Sequence, residues 1–242
     1  MKIDTYTIKA RLMPAFLVLL PIGLALAAWF PTELFTGWRS AMTIAGYFGV
    51  LVLLSEFGRD LGKKKEAGLF KLWGGKPTTR MLRHRHSPLD AVTLARYHGV
   101  IGKLIGATLP SREAEKADQK SADALYGSGV KLLLEKTRDS NKFPLLLKEN
   151  TSYGFRRNLW GMKPAAIGIC CLSLIATLVP VCLALFDDKT LPPLPVALAT
   201  GIIVLLVWWV LRVNPDWIRI PGDGYAQRLL AACDSLSEGK PL

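Results

Sequence analysis

Four long stretches of this chain contain no charged residue at all. Residues 12–30 hold nineteen uncharged positions, and similar runs follow at residues 40–54, 164–186 and 191–211. A bilayer core about 30 Å thick requires about 20 apolar residues in a helix, and lipid offers the backbone no hydrogen-bond partner. The missing charge therefore excludes an ordinary soluble fold and predicts four membrane-spanning helices.

Other features that the sequence lacks limit the range of possible folds and functions. Cys170, Cys171 and Cys182 lie within the third apolar run, and no C-x-x-C pair exists, which excludes a disulfide framework and a cysteine metal site. No stretch alternates with period two, so we predict an all-α fold. The apolar runs carry no charge for a midplane site, which argues against ion-coupled transport. No complete catalytic motif is present, and we predict no cofactor.

Positive charge is concentrated between the second and third runs. The chain carries a net charge of +12, and residues 55–163 hold 22 Lys and Arg against 11 Asp and Glu. Positively charged segments next to spans stay in the cytoplasm. We therefore expect the central block and both termini to be cytoplasmic. The first run lacks a small-x-small cleavage site and is long for a signal peptide, so it is predicted to remain as a span.

These features predict an integral membrane protein with two transmembrane helical hairpins around a basic helical domain. The predicted order is a hairpin over 1–57, a cytoplasmic domain over 58–163, a second hairpin over 164–213 and a tail over 214–242. Within the central domain, one helix is predicted from an N-cap at Ser87 to Ile105. A second begins at Ser111 and is interrupted near Gly127 or Gly129, and a short third element from Pro144 precedes the third span. The tail is predicted to form a short helix over 226–236.

Small residues recur in the second run with a spacing of four. Ala41, Ala45 and Gly49 form two overlapping small-x-x-x-small patterns, which permit close approach of helices. Such patterns mark packing inside one chain more often than packing between subunits, and the sequence does not separate the two. The density of small residues in this run nevertheless motivates our expectation of a homo-oligomer.

A dense basic segment follows the second run. Nine of its 27 residues, from Arg59 to Arg85, are Lys or Arg. Cations beside a membrane bind anionic lipid with about 1 kcal/mol each, but a phosphorylated small molecule or a nucleic acid is an equally open ligand. The turn at Gly74–Gly75 lacks phosphate-loop spacing. The candidate ligand-binding residues are Lys63, Lys64, Lys65, Lys76, Arg80, Arg83, His84 and Arg85.

A second group of charges lies at the end of the second span. Glu56 and Asp60 share a helix face, and Arg59 can pair with either. We expect Arg156 and Arg157, just before the third span, to be their counterparts. The group either fixes the two halves of the protein together or lines a cytoplasmic pore mouth.

Three histidines support an alternative, enzymatic hypothesis. His84, His86 and His98, with Asp90, are the groups that a membrane-bound enzyme acting on a lipid or nucleotide would use. His84 and His86 are two residues apart and flanked by arginines, which disfavours a metal site. We therefore predict no metal.

The layout, together with the run from Gly58-Arg59-Asp60 to Leu82-Arg83-His84, resembles small four-span bacterial membrane proteins of conflict and anti-phage defence systems. The resemblance implies a location in the bacterial cytoplasmic (inner) membrane. We expect a non-enzymatic, oligomeric effector or scaffold that binds a phosphorylated ligand, a nucleic acid or a protein partner. Its response would be altered membrane permeability or recruitment of that partner.

Overall fold

The computed structural model describes residues 5–30 and 37–237, and for residues 37–41 it describes the backbone alone. Every regular element in these residues is a helix, which confirms the predicted all-α fold. The elements are α1 (Thr5–Thr7), a π-helical segment (Ile8–Leu12), α2 (Met13–Trp29), α3 (Gly37–Leu72), α4 (Pro77–Leu82), α5 (Ala91–Ile105), α6 (Arg112–Ala117), α7 (Gln119–Lys136), α8 (Pro144–Phe186), α9 (Pro193–Leu211) and α10 (Pro215–Ser237).

Four helical segments are long and apolar enough to cross a membrane, as expected for a multi-pass membrane protein. They are Thr5–Trp29, Met42–Leu82, Pro144–Phe186 and Pro193–Leu211. Each includes most of one of the four uncharged runs, so the predicted number of apolar helices is confirmed. The link between the first two runs, at residues 31–36, lies outside the described residues, and so does the side chain of Ala41.

Proline begins four of the helices, α4, α8, α9 and α10. The first turn of a helix does not use the backbone N–H that proline lacks, and the fixed φ of proline suits that position. From Pro144 onward α8 is a single helix of 43 residues. The prediction of a separate short element before the third span is therefore wrong, since isolated glycines at 154 and 161 each cost only about 1 kcal/mol relative to alanine.

An aspartate, and not the predicted Ser87, caps α5. The Asp90 carboxylate accepts a hydrogen bond from the Thr93 N–H at 2.8 Å, which satisfies one of the free donors of the first turn. The Ser87 hydroxyl instead donates to the Met81 carbonyl at 2.6 Å. The predicted end at Ile105 is confirmed, because Gly106 takes the left-handed conformation (φ 66°) that closes a helix.

A second aspartate divides the next predicted helix into α6 and α7. The Asp118 carboxylate accepts the Ser121 N–H at 3.1 Å and so starts α7. Gly127 and Gly129 do not break the helix, because both residues lie inside α7. A capping side chain offers the backbone an alternative to the helix, whereas an isolated glycine only weakens one.

The tail helix is longer than the predicted 226–236. The Asn214 side-chain oxygen accepts the Trp217 N–H at 2.9 Å, so α10 begins at Pro215. The preceding helix, α9, ends at Leu211. Pro221 lies inside α10 without ending it.

The chain divides into two compact units. The first comprises Met1–Glu66 and Gly154–Ile218, and the second comprises Ala67–Tyr153 and Arg219–Leu242. These divisions fall inside α3, α8 and α10, and they differ from the sequence-based boundaries at residues 58, 164 and 214. The boundaries differ because α3 and α8 extend beyond their apolar runs.

The first unit contains a close crossing of α3 and α8 at glycines. A Cβ atom on Gly161 would lie 2.5 Å from the Gly62 nitrogen, and one on Gly62 would lie 2.7 Å from the Asn158 Oδ1. Gly58 likewise faces Met162. Only glycine allows two helix backbones to approach this closely, so the Gly58-x-x-x-Gly62 spacing fixes where the helices meet.

The second unit has its own apolar core. Ile101 of α5, Tyr126 of α7 and Leu82 of α4 are fully buried in it. Leu229 and Leu230 of α10 are buried in the same cluster. The carboxyl-terminal helix therefore completes the core of the central region and is not a separate tail.

Candidate anion-binding site

The predicted basic segment is shared between the two units. Lys63, Lys64 and Lys65 belong to the first unit, whereas Lys76 and the cations from Arg80 to Arg85 belong to the second. Lys63, Lys64 and Lys76 are exposed.

Two of the arginines that were predicted to bind phosphate contact carboxylates of the chain itself. Arg83 donates to both oxygens of Asp123, from Nε at 2.8 Å and Nη2 at 2.7 Å, and from Nη1 to the Gly74 carbonyl at 2.7 Å. The bonds to Asp123 raise the pKa of Arg83. Arg80 donates from Nη2 to Asp223 at 2.6 Å. Arg83 thereby connects the end of α4 to α7, and Arg80 connects α4 to α10. The main contacts of both arginines are therefore made within the fold.

A buried glutamate fixes the backbone after α4. Glu115 is 2% exposed, and its carboxylate accepts the backbone N–H of His84 at 2.8 Å and that of Arg85 at 3.3 Å. The Tyr126 hydroxyl donates to it at 2.8 Å. Burial and this carboxylate raise the pKa of Tyr126. The three donors stabilise the charge of Glu115 and hold residues 84 and 85 in place.

The imidazoles of His84 and His98 are also engaged. His84 Nε2 lies 2.9 Å from the Pro110 carbonyl and His98 Nε2 lies 2.7 Å from the Leu82 carbonyl. A carbonyl only accepts, so each Nε2 carries a proton and donates. The two rings meet edge to face with centroids 4.9 Å apart. Burial lowers the pKa of His98.

The remaining groups of the enzymatic hypothesis do not converge. Asp90 caps α5, and its carboxylate bond to the Thr93 N–H lowers its pKa. His86 is exposed and is not among the contacts of the His84–His98 pair. Among the described residues, no cluster of three or more His, Cys, Asp or Glu side chains has the geometry to hold a metal ion.

One pocket of about 270 Å³ is lined by two exposed cations of this region. Arg85 and Lys116 are exposed at its rim, and His86 lies beside them with a left-handed backbone (φ 58°). Arg83, Glu115 and Gln119 complete the lining. Arg83 is neutralised by Asp123, and the Glu115 oxygens already accept three bonds, which leaves Arg85, His86 and Lys116 as the basic lining residues that face solvent. We call this site the Arg85 pocket.

Sequence reasoning placed Arg83 and Arg85 at this site but missed Glu115, Lys116 and Gln119. The segment from Ser111 to Glu115 has the form of an ordinary helix start, with acids near the positive helix end. Nothing in that pattern distinguishes the buried Glu115 from the exposed Glu113. The pairing of Arg83 with Asp123 had no signal in the sequence either, because the two residues lie 40 positions apart.

The charges at the end of the second span form a network in the first unit. Arg59 contacts Glu56 at 3.0 Å and Asp60 at 3.1 Å, which confirms that it pairs with both. Arg11 also contacts Glu56, at 3.4 Å. Arg157 contacts Glu66 at 3.3 Å.

The expected pairing of Glu56 and Asp60 with Arg156 and Arg157 is therefore wrong. The helices α3 and α8 cross where Gly62 meets Asn158, and each residue of an α-helix advances about 1.5 Å along the axis. Arg157 thus lies near Glu66, more than two turns along α3 from Glu56. Arg156 instead donates to the Trp217 carbonyl at 2.6 Å.

Comparison with protein-family models, with curated proteins and with solved structures finds no match for the chain.

Proposed function

We propose that this chain is a non-enzymatic, multi-pass protein of the bacterial cytoplasmic membrane whose second unit binds a phosphate-bearing anion at the Arg85 pocket. Both termini and the second unit lie in the cytoplasm. Binding alters membrane permeability or recruits a cytoplasmic partner protein. The observation that carries the proposal is the convergence of Arg85, His86 and Lys116 on one pocket whose backbone is held by Glu115.

The chemistry of the pocket favours a small, doubly charged anion. Arg85 offers a forked donor that matches two phosphate oxygens, and Lys116 adds a point charge. A volume of about 270 Å³ is below the usual range for drug-sized ligands and suits a single phosphate group. A larger ligand such as a nucleotide or a nucleic acid would place one phosphate here and the rest outside.

An oligomeric assembly is part of the proposal. A Cβ atom on Gly46 or Gly49 would have no neighbour within 4 Å among the described residues, so this small-residue face of α3 packs against no described part of the chain. Small residues let helices of separate subunits approach closely. A disulfide formed between subunits by Gly49→Cys in the membrane would support the assembly, and a monomer at all protein concentrations would contradict it.

Calorimetric titration of the purified full chain tests the pocket. The probes are inorganic phosphate, ATP and a short single-stranded oligonucleotide. A charge-assisted hydrogen bond contributes about 1.5–3 kcal/mol, so the double variant Arg85→Gln/Lys116→Gln should weaken binding of the preferred probe at least tenfold. Arg85→Lys keeps the charge and removes the fork, so it should weaken binding to a smaller extent.

The matched control is Lys131→Gln/Lys136→Gln. Both lysines are exposed on α7, outside the pocket lining, so their loss removes the same charge and should leave affinity unchanged. Equal weakening in the two double variants would mean that the domain attracts anions without a site. A chain that binds none of the probes would refute the proposal.

The membrane response needs a separate measurement. Vesicles that contain the full chain and a trapped dye should release it after the preferred probe is added on the side of the second unit, and the pocket variant should not respond. On the resemblance to conflict-system proteins, we place the response in anti-phage defence. Cells that carry the chain should then resist phage infection, and cells with the pocket variant should not. Dye retention together with normal probe binding would favour partner recruitment over permeability.

A further inference from the structure

In the first unit, two tryptophan rings each have two cations beside them. Lys65 Nζ and Lys163 Nζ lie 5.5 and 5.7 Å from the Trp160 ring centroid. The guanidinium carbons of Arg156 and Arg212 lie 4.6 and 5.6 Å from the Trp217 ring centroid. We infer that these cations form a binding site for the phosphate headgroups of anionic phospholipids, distinct from the Arg85 pocket.

Two of the cations, Lys163 and Arg212, lie at the ends of uncharged runs. Lys163 directly precedes the uncharged run of α8, and its Nζ donates to the carbonyls of Val210 at 3.0 Å and Val213 at 2.8 Å. Arg212 directly follows α9, which ends at Leu211. If these helices span a bilayer, their last turn meets the headgroup layer, where tryptophan and the long basic side chains concentrate.

Other tryptophans join the two pairs into one cluster. Trp208 packs edge to face against Trp217 and Trp209, with centroids 6.0 and 5.3 Å apart. Trp209 is fully buried in the core of the first unit, with Trp160 packed against that core. The rings are therefore held by packing, and they fix where the cations are placed.

The positive charge of this cluster is not cancelled by acids. Among the described residues, Lys65, Lys163 and Arg212 make no ion pair, and their polar contacts are tryptophan rings and backbone carbonyls, which carry no net charge. Asp216, next to Trp217, is exposed and forms no ion pair with them. By contrast, Lys189 near the other end of the same two helices pairs with Asp187 at 2.9 Å. These three cations are therefore available to an external anion.

The surroundings favour a lipid over a soluble phosphate. Val204, Val207 and Leu211 are 64%, 49% and 70% exposed, and their spacing places them on one face of α9. That apolar face leads directly to Arg212. An amphipathic ligand would lay its acyl chain along the face while its phosphate reaches the cation. A soluble phosphate would gain nothing from the apolar face.

Quenching of tryptophan fluorescence by brominated lipid tests this inference. The full chain is reconstituted in phosphatidylcholine vesicles that contain increasing amounts of either brominated phosphatidylglycerol or brominated phosphatidylcholine. The native chain should prefer the anionic lipid. Each cation removed should lower that preference about fivefold, the factor that corresponds to about 1 kcal/mol near an anionic surface. The variants are Lys65→Gln and Arg212→Gln, alone and combined.

Lys189→Gln removes the same charge near the opposite end of the helices and should leave the preference unchanged. Glycerol 3-phosphate, added in solution, carries the headgroup without the acyl chains and should not relieve quenching. Equal quenching of the native chain by the two lipids would overturn the inference, and this outcome does not depend on how the variants fold. Displacement by glycerol 3-phosphate would overturn it in favour of a soluble-phosphate site.

Discussion

At the scale of single residues, the arginines of the basic segment divide into two roles. A planar guanidinium matches the two oxygens of a carboxylate as well as those of a phosphate. Arg83 uses this geometry on both oxygens of Asp123, and Arg80 donates a single bond to Asp223, while Arg85 is exposed at the pocket. Arg→Lys at all three positions would therefore weaken contacts within the fold as well as ligand binding. Substitution of Arg85 alone tests ligand binding by itself.

His98 should make the second unit less stable in mild acid. Burial lowers the pKa of His98 below its ordinary value of 6.5, so the unfolded chain takes up a proton that the folded chain resists. The stability from neutral His98 is fully present above about pH 6.5 and is lost as the pH falls toward the folded pKa. Nearby Glu115 opposes this shift and His84 reinforces it. Thermal unfolding in detergent, followed from pH 7.5 to 5.5, should show a falling midpoint.

The matched variant for this prediction is His98→Gln. Its amide can donate to the Leu82 carbonyl from about the position of Nε2, and it does not titrate in this range. The variant should lose less stability than the native chain over the same pH interval. If both midpoints fall in parallel, another group is responsible for the acid sensitivity.

The residue types at the site were predictable, but their partners were not. A run of cations after a span indicates anion binding through charge alone, so Arg83 and Arg85 could be selected from the sequence. The carboxylates that separate their roles, Asp123 and Glu115, come from other helices. Their placement depends on how α4, α6 and α7 pack, and local patterns carry no information about that packing.

At the scale of the elements, the sequence was sufficient to predict that the helices exist, but not where each one begins and ends. Uncharged runs of about 20 residues identify spans, because the bilayer sets their length. Whether a helix continues past the bilayer depends on what it contacts there. In α3 and α8 the continuation is supported by the glycine crossing and by the contact between Arg157 and Glu66. Both contacts join residues of different helices, and local sequence patterns do not show which helices meet.

The α3–α8 crossing should fail when Gly161 gains a side chain. A Cβ atom there would lie 2.5 Å from the Gly62 nitrogen and 2.8 Å from its Cα, and backbone atoms cannot move aside as a side chain can. Overpacking of this kind costs about 1–3 kcal/mol. We expect Gly161→Ala to lower the thermal unfolding midpoint of the chain in detergent.

Gly168 provides the control on the same helix. A Cβ atom there would meet nothing within 4 Å, and alanine favours a helix over glycine by up to about 1 kcal/mol. Gly168→Ala should therefore be neutral or slightly stabilising. A midpoint for Gly161→Ala that matches the one for Gly168→Ala would show that the two helices do not cross at this glycine.

At the scale of the whole molecule, the charge distribution predicts one orientation. Residues 55–163 carry twice as many basic as acidic residues, whereas the link after α8 holds Asp187 and Asp188 with only Lys189. Loops rich in Lys and Arg stay in the cytoplasm. Single cysteines at Thr190 and Ser128, which are both exposed, can report the side of each segment to a membrane-impermeant thiol reagent.

Few of the native cysteines need to be replaced before this measurement. Burial raises the pKa of the Cys233 thiol to about 12, so this cysteine forms almost no reactive thiolate in the folded chain. Cys170 is also buried, and the exposed Cys171 and Cys182 are replaced by alanine. In intact cells, Thr190→Cys should be labelled, and Ser128→Cys should be labelled only after the membrane is permeabilised. The reverse pattern would place the Arg85 pocket outside the cell, where a cytoplasmic ligand could not reach it. Labelling of both positions in intact cells would contradict a membrane-spanning segment between them.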